Sequence, residues 1–208
     1  MATEIEIKLR VPDEVTLDRV LADPNLTQYM RDEFVSKKFH SVYFDTEDGE
    51  LSSRRWTLRL RKEGDQSVAA LKTANSFDGE MFTRNEWQCL ADSIDEAIPA
   101  LMNLGAPREL EQLLKSRKLI EVCGAEFERR SNFLYMDDGV RIELCGDVGT
   151  LYAGGKRLPI IEVELELLFG DSTVLPHICH QLMDDYGLEI EKLSKNARAN
   201  ALREATKE

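Results

Sequence analysis

Several stretches of this chain place charged side chains at every second position. Residues 3–11 set Glu4, Glu6, Lys8 and Arg10 against Ile5, Ile7, Leu9 and Val11. Residues 159–169 set Glu162, Glu164 and Glu166 against Val163, Leu165 and Leu167. Arg59 and Arg61 alternate with Leu58 and Leu60, and Arg84, Glu86 and Gln88 share one face of residues 80–89. A period of two sends successive side chains to opposite faces of a β-strand. Carboxylates on neighbouring strands offer oxygen ligands to a hard divalent cation such as Mg2+. Arginines and lysines on a facing wall offer charge-assisted hydrogen bonds to phosphate oxygens. The two together suit a metal–polyphosphate complex.

The elements that would position these faces follow from the same patterning. Strands are expected over residues 3–11, 38–45, 55–63, 67–74, 80–89, 119–135, 140–146 and 159–169, with turns at Asp48-Gly49, Asp78-Gly79 and Asp138-Gly139. Residues 147–155 are expected to contain a glycine-rich turn. Helices are expected over 12–33, interrupted at Asp23-Pro24-Asn25, then over 93–104, 107–118, 172–186 and 194–205. An ordinary antiparallel sheet turns its polar face to water. Here the polar faces are dense in charge and sorted by sign, and the helices carry apolar stripes that need a sheet surface to cover. One α+β arrangement satisfies both: a closed antiparallel β-barrel, a tunnel of about eight strands, with helices packed outside and charges lining the inside. Buried charges must then pair or bind ions.

Composition bounds the alternatives. The 208 residues are 42% apolar and 32% charged, a globular profile that suits a single domain over 1–208. No run of about 18 apolar residues exists, so no transmembrane helix is expected. The strand-like start MATEIEIKLR has no signal-peptide core, which makes the cytoplasm the default location and a membrane partner unexpected. Cys89, Cys123, Cys145 and Cys179 are scattered and read as reduced thiols. The net charge of −12 argues against a nucleic-acid partner. It also repels phosphate compounds, so a phosphate site requires the basic residues to be gathered in one place.

In their order along the chain, these residues resemble the CYTH family, or triphosphate tunnel metalloenzymes. Glu4-Ile5-Glu6-Ile7-Lys8 matches its E-x-E-x-K strand, Tyr43-Phe44-Asp45-Thr46 its Y-[FY]-[DE]-T segment, and Leu58-Arg59-Leu60-Arg61 its L-R-[IL]-R strand. Leu71-Lys72-Thr73 resembles its T-x-K strand, with the threonine after the lysine. Arg84-Asn85-Glu86, Arg129, Glu162-Val163-Glu164-Leu165-Glu166 and Leu193-Ser194-Lys195 continue the match from about residue 3 to residue 198. The late segment is most similar to bacterial inorganic triphosphatases of the family. Some members carry an additional C-terminal helical domain, which these residues do not include.

The resemblance implies metal ligation (Mg2+ or Mn2+) by Glu4, Glu6 and Glu164, with Glu162 and Glu86 contributing. It implies that Lys8, Arg59, Arg61, Lys72, Arg84, Arg129 and Lys195 hold a small-molecule triphosphate. Glu143 and Asp147 would shape the acidic side, and Glu166 would either join them or sit at the barrel mouth. The expected activity is hydrolysis of the terminal phosphoanhydride of inorganic triphosphate. In it Glu86 or a second metal orients the attacking water, while Lys8 and Arg59 stabilise the transferring phosphoryl group. Thiamine triphosphatase, adenylyl cyclase and a non-catalytic nucleotide or polyphosphate sensor remain open alternatives, as does a homodimer. Trp56, Trp87 and Phe82 read as barrel packing rather than a ledge for thiamine rings. His40 reads as a half-buried strand residue, and His177 and His180 as structural.

Overall fold

The computed structural model of the chain describes residues 2–77, 79–136 and 138–204. Eight antiparallel strands close into a barrel: β1 (Ala2–Arg10), β2 (Val35–Thr46), β3 (Trp56–Glu63), β4 (Gln66–Phe77), β5 (Phe82–Leu90), β6 (Leu119–Tyr135), β7 (Arg141–Ala153) and β8 (Lys156–Phe169). Their order around the ring is β5-β4-β3-β2-β6-β7-β8-β1, and β1 returns to β5. Two meanders, β2 to β5 and β6 to β8, are thus stitched together by the β2–β6 pairing on one side and by β1 on the other. The register sets Glu4 opposite Arg84 and Lys8 opposite Glu164. A two-residue strand, β9 (Glu189–Ile190), pairs with Leu9 and Arg10 on the edge of β1 that β5 leaves free.

Helices cover the apolar outside. Between β1 and β2 lie α1 (Glu14–Leu21) and α2 (Pro24–Thr27), and after β8 comes α6 (Val174–Tyr186). Leu17, Val20 and Leu21 from α1 and Leu175, Cys179 and Leu182 from α6 pack on Ile7, Leu9, Leu144, Val163 and Leu165. On the far side α4 (Ile94–Asn103) and α5 (Arg108–Leu114) cover Leu58, Leu71 and Trp87. Each such side chain, fully buried, contributes about 1.5–3 kcal/mol. The two remaining helices, α3 (Glu50–Ser53) and α7 (Lys195–Glu204), lie at the β2–β3 connection and near the end of the chain. No helix among the described residues is long and apolar enough to cross a membrane.

Some expectations shift. The helical region over 12–33 is two short helices, because Asp13 caps α1 through Thr16 N–H at 2.7 Å and Asp23 restarts the chain as α2 through Asn25 N–H at 2.7 Å. The glycine-rich turn expected within residues 147–155 is confined to the last two of them. β7 runs through to Ala153, and the reversal falls at Gly154 and Gly155, both at positive φ. Gly149 is glycine for another reason: a Cβ there would meet the Glu126 carbonyl oxygen at 2.1 Å and Phe127 Cβ at 2.4 Å, so the β6 backbone could not approach. Glu143 and Asp147 lie within β7, ahead of that turn as expected. Asp78 of the expected Asp78-Gly79 turn and residue 205 of the last expected helix lie outside the described residues. The barrel interior is also not charged throughout. Phe39, Tyr43, Cys123, Phe127 and Ile160 form a third apolar cluster inside it, which Ala199 of α7 joins.

Candidate active site

The remaining interior holds a cavity of about 330 Å³. β1 supplies Glu4, Glu6 and Lys8, β3 supplies Arg59 and Arg61, β4 supplies Lys72, and β5 supplies Arg84 and Glu86. β6 supplies Arg129, β7 Glu143, β8 Glu164 and Glu166, and α7 Lys195. Glu162 and Asp147 sit just behind this lining at 0% exposure, joined to it through Lys195. Every residue singled out for metal or phosphate thus comes to one place. The lining carries eight basic side chains (Lys8, Lys37, Arg59, Arg61, Lys72, Arg84, Arg129, Lys195) and seven acidic ones (Glu4, Glu6, Glu63, Glu86, Glu143, Glu164, Glu166). A chain of net charge −12 therefore encloses a cavity that is not negative, as a polyanion site requires.

On the β1–β8–β7 side the charges are paired. Arg129 grips Asp147 with two hydrogen bonds of 2.7 Å and also bonds Glu164. Lys195 Nζ lies 2.7 Å from Asp147 and 3.0 Å from Glu164 and bonds Glu162. Lys8 Nζ is 3.3 Å from both Glu6 and Glu164. Lys72 donates to Glu4 at 2.6 Å, and Arg84 bonds Glu6. Burial pushes the Glu6 carboxyl up, but Lys8 and Arg84 outweigh it and hold the pKa at about 2. Asp147 and Glu164 are likewise depressed against their burial, by Arg129 and Lys195. Glu166 makes no ion pair among the described residues, and Lys72 offsets its burial only in part. Burial, with Glu4 and Glu6 nearby, raises its pKa to about 8, which keeps it protonated at neutral pH.

The β3 side is different. Arg59 is only 9% exposed, its Nε is buried without a hydrogen-bond partner, and among the described residues it makes no ion pair. Arg61 donates to Ser41 Oγ at 3.1 Å and stacks over Phe39 and Phe127, with Glu63 no nearer than 4.0 Å. Burial together with the charges of Arg59 and Arg129 lowers the Arg61 pKa to about 9. A buried guanidinium without a counter-charge is costly, so this wall is built for an anion.

The carboxylates also fit a hard cation. One oxygen from each of Asp147, Glu162 and Glu164 lies within 4.8 Å of the others. Glu4 Oε2 and Glu86 Oε1 are buried acceptors without a hydrogen-bond donor, although Arg84 Nε and Lys72 Nζ stand at 3.3 and 3.5 Å. An all-oxygen donor set suits Mg2+ or Mn2+ rather than a softer metal.

Other residues sort away from the cavity. Asp45, 3% exposed, accepts from Thr46 N, Leu51 N and Ser52 N at 2.7–3.0 Å and so anchors α3; its motif position is structural. Trp87 and Trp56 pack against α4 and α5 outside the barrel. Phe82 departs from the packing expectation, because Lys8 and Arg84 stand over its ring at 5.7 and 5.5 Å. His40 is exposed and bonds Tyr152 Oη at 2.8 Å. His180 pairs with Glu80 on the surface, and His177 is exposed. The four cysteines are free thiols. Two residues escaped the sequence reading. Glu191, 3% exposed, binds Arg10 at 3.2 Å, Arg198 at 3.3 Å and Leu193 N–H at 3.0 Å, and Arg198 bonds Glu162. Arg198 does lie in the segment L-S-K-N-A-R, but a single arginine on a helix carries no periodic signal.

The fold and lining define a closed barrel whose cavity sets Arg59 and Arg61 against a wall of paired carboxylates. The profile of the CYTH domain matches residues 2–199, and the chain belongs to the CYTH family. An inorganic triphosphatase of Haemophilus influenzae is 27% identical over 175 residues, which cover 82% of this chain and 47% of that protein. The chain thus spans about half the length of this curated relative. A candidate adenylyl cyclase from Hippeastrum with a dominant triphosphatase activity superposes at a TM-score of 0.63, with 20% identity and 96% of each chain covered. A protein from Pyrococcus horikoshii superposes at 0.56, with 18% identity over 96% of this chain and 99% of its own. At these identities the structural likenesses establish the fold.

Proposed function

We propose that the tunnel binds inorganic triphosphate as a divalent-metal complex and hydrolyses its terminal phosphoanhydride, releasing phosphate and pyrophosphate. The observation that carries this reading is Arg59, buried and unpaired beside Arg61, across the cavity from a cluster of carboxylate oxygens. Family membership and the triphosphatase relative support it. Among the lining residues the aromatics are Phe39 and Tyr43, and Phe39 already carries Arg61. Phe39 is therefore not free to stack a thiazolium or a purine, which favours the inorganic substrate. We read residues 1–208 as one domain that works in the cytoplasm on this small molecule.

Glu4, Glu6, Glu162, Glu164 and Asp147 are the residues that would hold the metal. Mg2+ or Mn2+ bound there would neutralise phosphate charge and lower the pKa of a bound water. Arg59 and Arg61, with Lys8, Lys72, Arg84, Arg129 and Lys195 around them, bind the phosphate oxygens and stabilise charge on the transferring group. Glu86 Oε1, a buried acceptor without a donor, orients the attacking water and takes its proton. The test is phosphate release from inorganic triphosphate by purified protein with Mg2+ or Mn2+. Absence of turnover across divalent metals and pH would sink the proposal, and a panel with thiamine triphosphate and ATP separates the alternatives.

A further inference from the structure

Asp147, Glu162 and Glu164 meet four cations in one buried layer, Arg129, Lys195, Arg198 and Lys8, of which Lys8 is shared with Glu6 and Arg198 with Glu191. The carboxylate side chains are 0%, 0% and 12% exposed. A divalent cation added to this paired layer leaves two positive charges uncompensated in a poorly solvated place. One resident cation has to leave first.

The anchoring decides which. Arg129 is fixed in the middle of β6 by its paired bonds to Asp147. Arg198 is tied to Glu191 as well as to Glu162. Lys195 is a compact ammonium on a flexible stem at the first residue of α7, and it already lines the cavity. The turn that carries it lies across the barrel end. Asn196 reaches Thr57 on β3 at 3.3 Å, whereas Lys195 reaches Glu162 on β8, four strands away in a ring of eight.

We propose that Lys195 is a stand-in cation: a divalent metal and the Lys195 ammonium exclude each other at the Asp147–Glu162–Glu164 cluster, and metal entry releases Lys195 toward the phosphates. This rests on the reading of the cavity as a metal–triphosphate site and adds an order to its loading. A cation entering alone must break three ion pairs, while one arriving with a polyanion leaves the ammonium a new counter-charge. Free metal therefore binds weakly, and metal and triphosphate reinforce each other.

The test uses Mn2+ alone on the full chain, with no triphosphate and hence no turnover, read by calorimetry or by the resonance of free Mn2+. Lys195→Met removes the competitor and is expected to bind Mn2+ about tenfold tighter or more, whereas Lys195→Arg stays near wild type. Equal or weaker Mn2+ binding by Lys195→Met overturns the proposal. Should Lys195→Met fail to fold, the wild type still decides the matter. Saturating Mn2+ should speed amide exchange at Ala197 and Arg198, whose N–H groups bond Ser194 in the first turn of α7. Unchanged exchange there overturns it as well. Phosphate release from inorganic triphosphate is measured separately: turnover with an unaltered Mn2+ response discards the exchange alone, and no turnover discards the function itself.

Discussion

The two walls of the tunnel treat charge in opposite ways. On the β1–β8–β7 side, Glu6, Asp147, Glu162 and Glu164 each meet a cation within the fold, so the wall is balanced before any ligand arrives. On the β3 side Arg59 makes no ion pair among the described residues and Arg61 leans on a hydroxyl and two rings. The first wall contributes to folding, and breaking one of its pairs strands the other charge. The second opposes folding, and that strain is relieved when an anion binds. One cavity thus combines a wall of paired charges with a wall that holds a buried cation without a counter-charge among the described residues.

The largest effect is expected from Glu164→Gln, because Lys8, Arg129 and Lys195 all converge on that carboxylate. Stability measured by chemical denaturation should fall by about 3–5 kcal/mol. Metal-dependent turnover should fall by about a thousandfold. Preserved stability would mean that the paired wall is not holding the fold. Arg59→Met separates the walls most sharply. Its kcat/KM should drop roughly 100- to 1000-fold, while its Tm in phosphate-free EDTA buffer holds or rises by a few degrees, since an unpaired buried charge is gone. A lower Tm would show Arg59 to be structural.

Asp45→Ala provides the contrast from outside the tunnel. Three backbone N–H groups lose their acceptor, so stability should fall by about 2–3 kcal/mol while KM stays within about twofold. A large KM change would tie α3 to the site.

The effect at Glu166 depends on pH. Its carboxyl keeps its proton to about pH 8 when folded and loses it near the ordinary 4.5 when unfolded. Between those values the folded state binds the extra proton, so this group's contribution to stability falls as pH rises from 4.5 toward 8. In EDTA, Glu166→Gln should melt with the wild type near about pH 4 and above it near about pH 8. Parallel melting curves across that range would place Glu166 in water.

Much of this was legible in the chain because a barrel strand writes its two faces directly into a period of two. β1 and β8 could be drawn from Glu4-Ile5-Glu6-Ile7-Lys8 and Glu162-Val163-Glu164-Leu165-Glu166 with little error. Elements shorter than a period's worth of evidence were not legible: β9 has two residues and α3 four. How far β7 runs before its turn was not legible, because glycine marks both close backbone approaches, as at Gly149, and turns, as at Gly154 and Gly155. Arg198 and Glu191 were missed because their importance lies in partners far along the chain, not in their own spacing.

The sequence alone determined which residue types face inward, since alternation is a property of neighbours along one strand. It also determined that the basic residues had to be gathered away from an acidic surface. The tertiary structure alone decided which charges meet. Lys195 reaches Asp147, Glu162 and Glu164 from 31 to 48 residues away, and Arg59 meets no carboxylate among the described residues. Pairing depends on strand order, register and the path of α7 across the barrel end, and these are fixed by closure of the ring rather than by any local pattern.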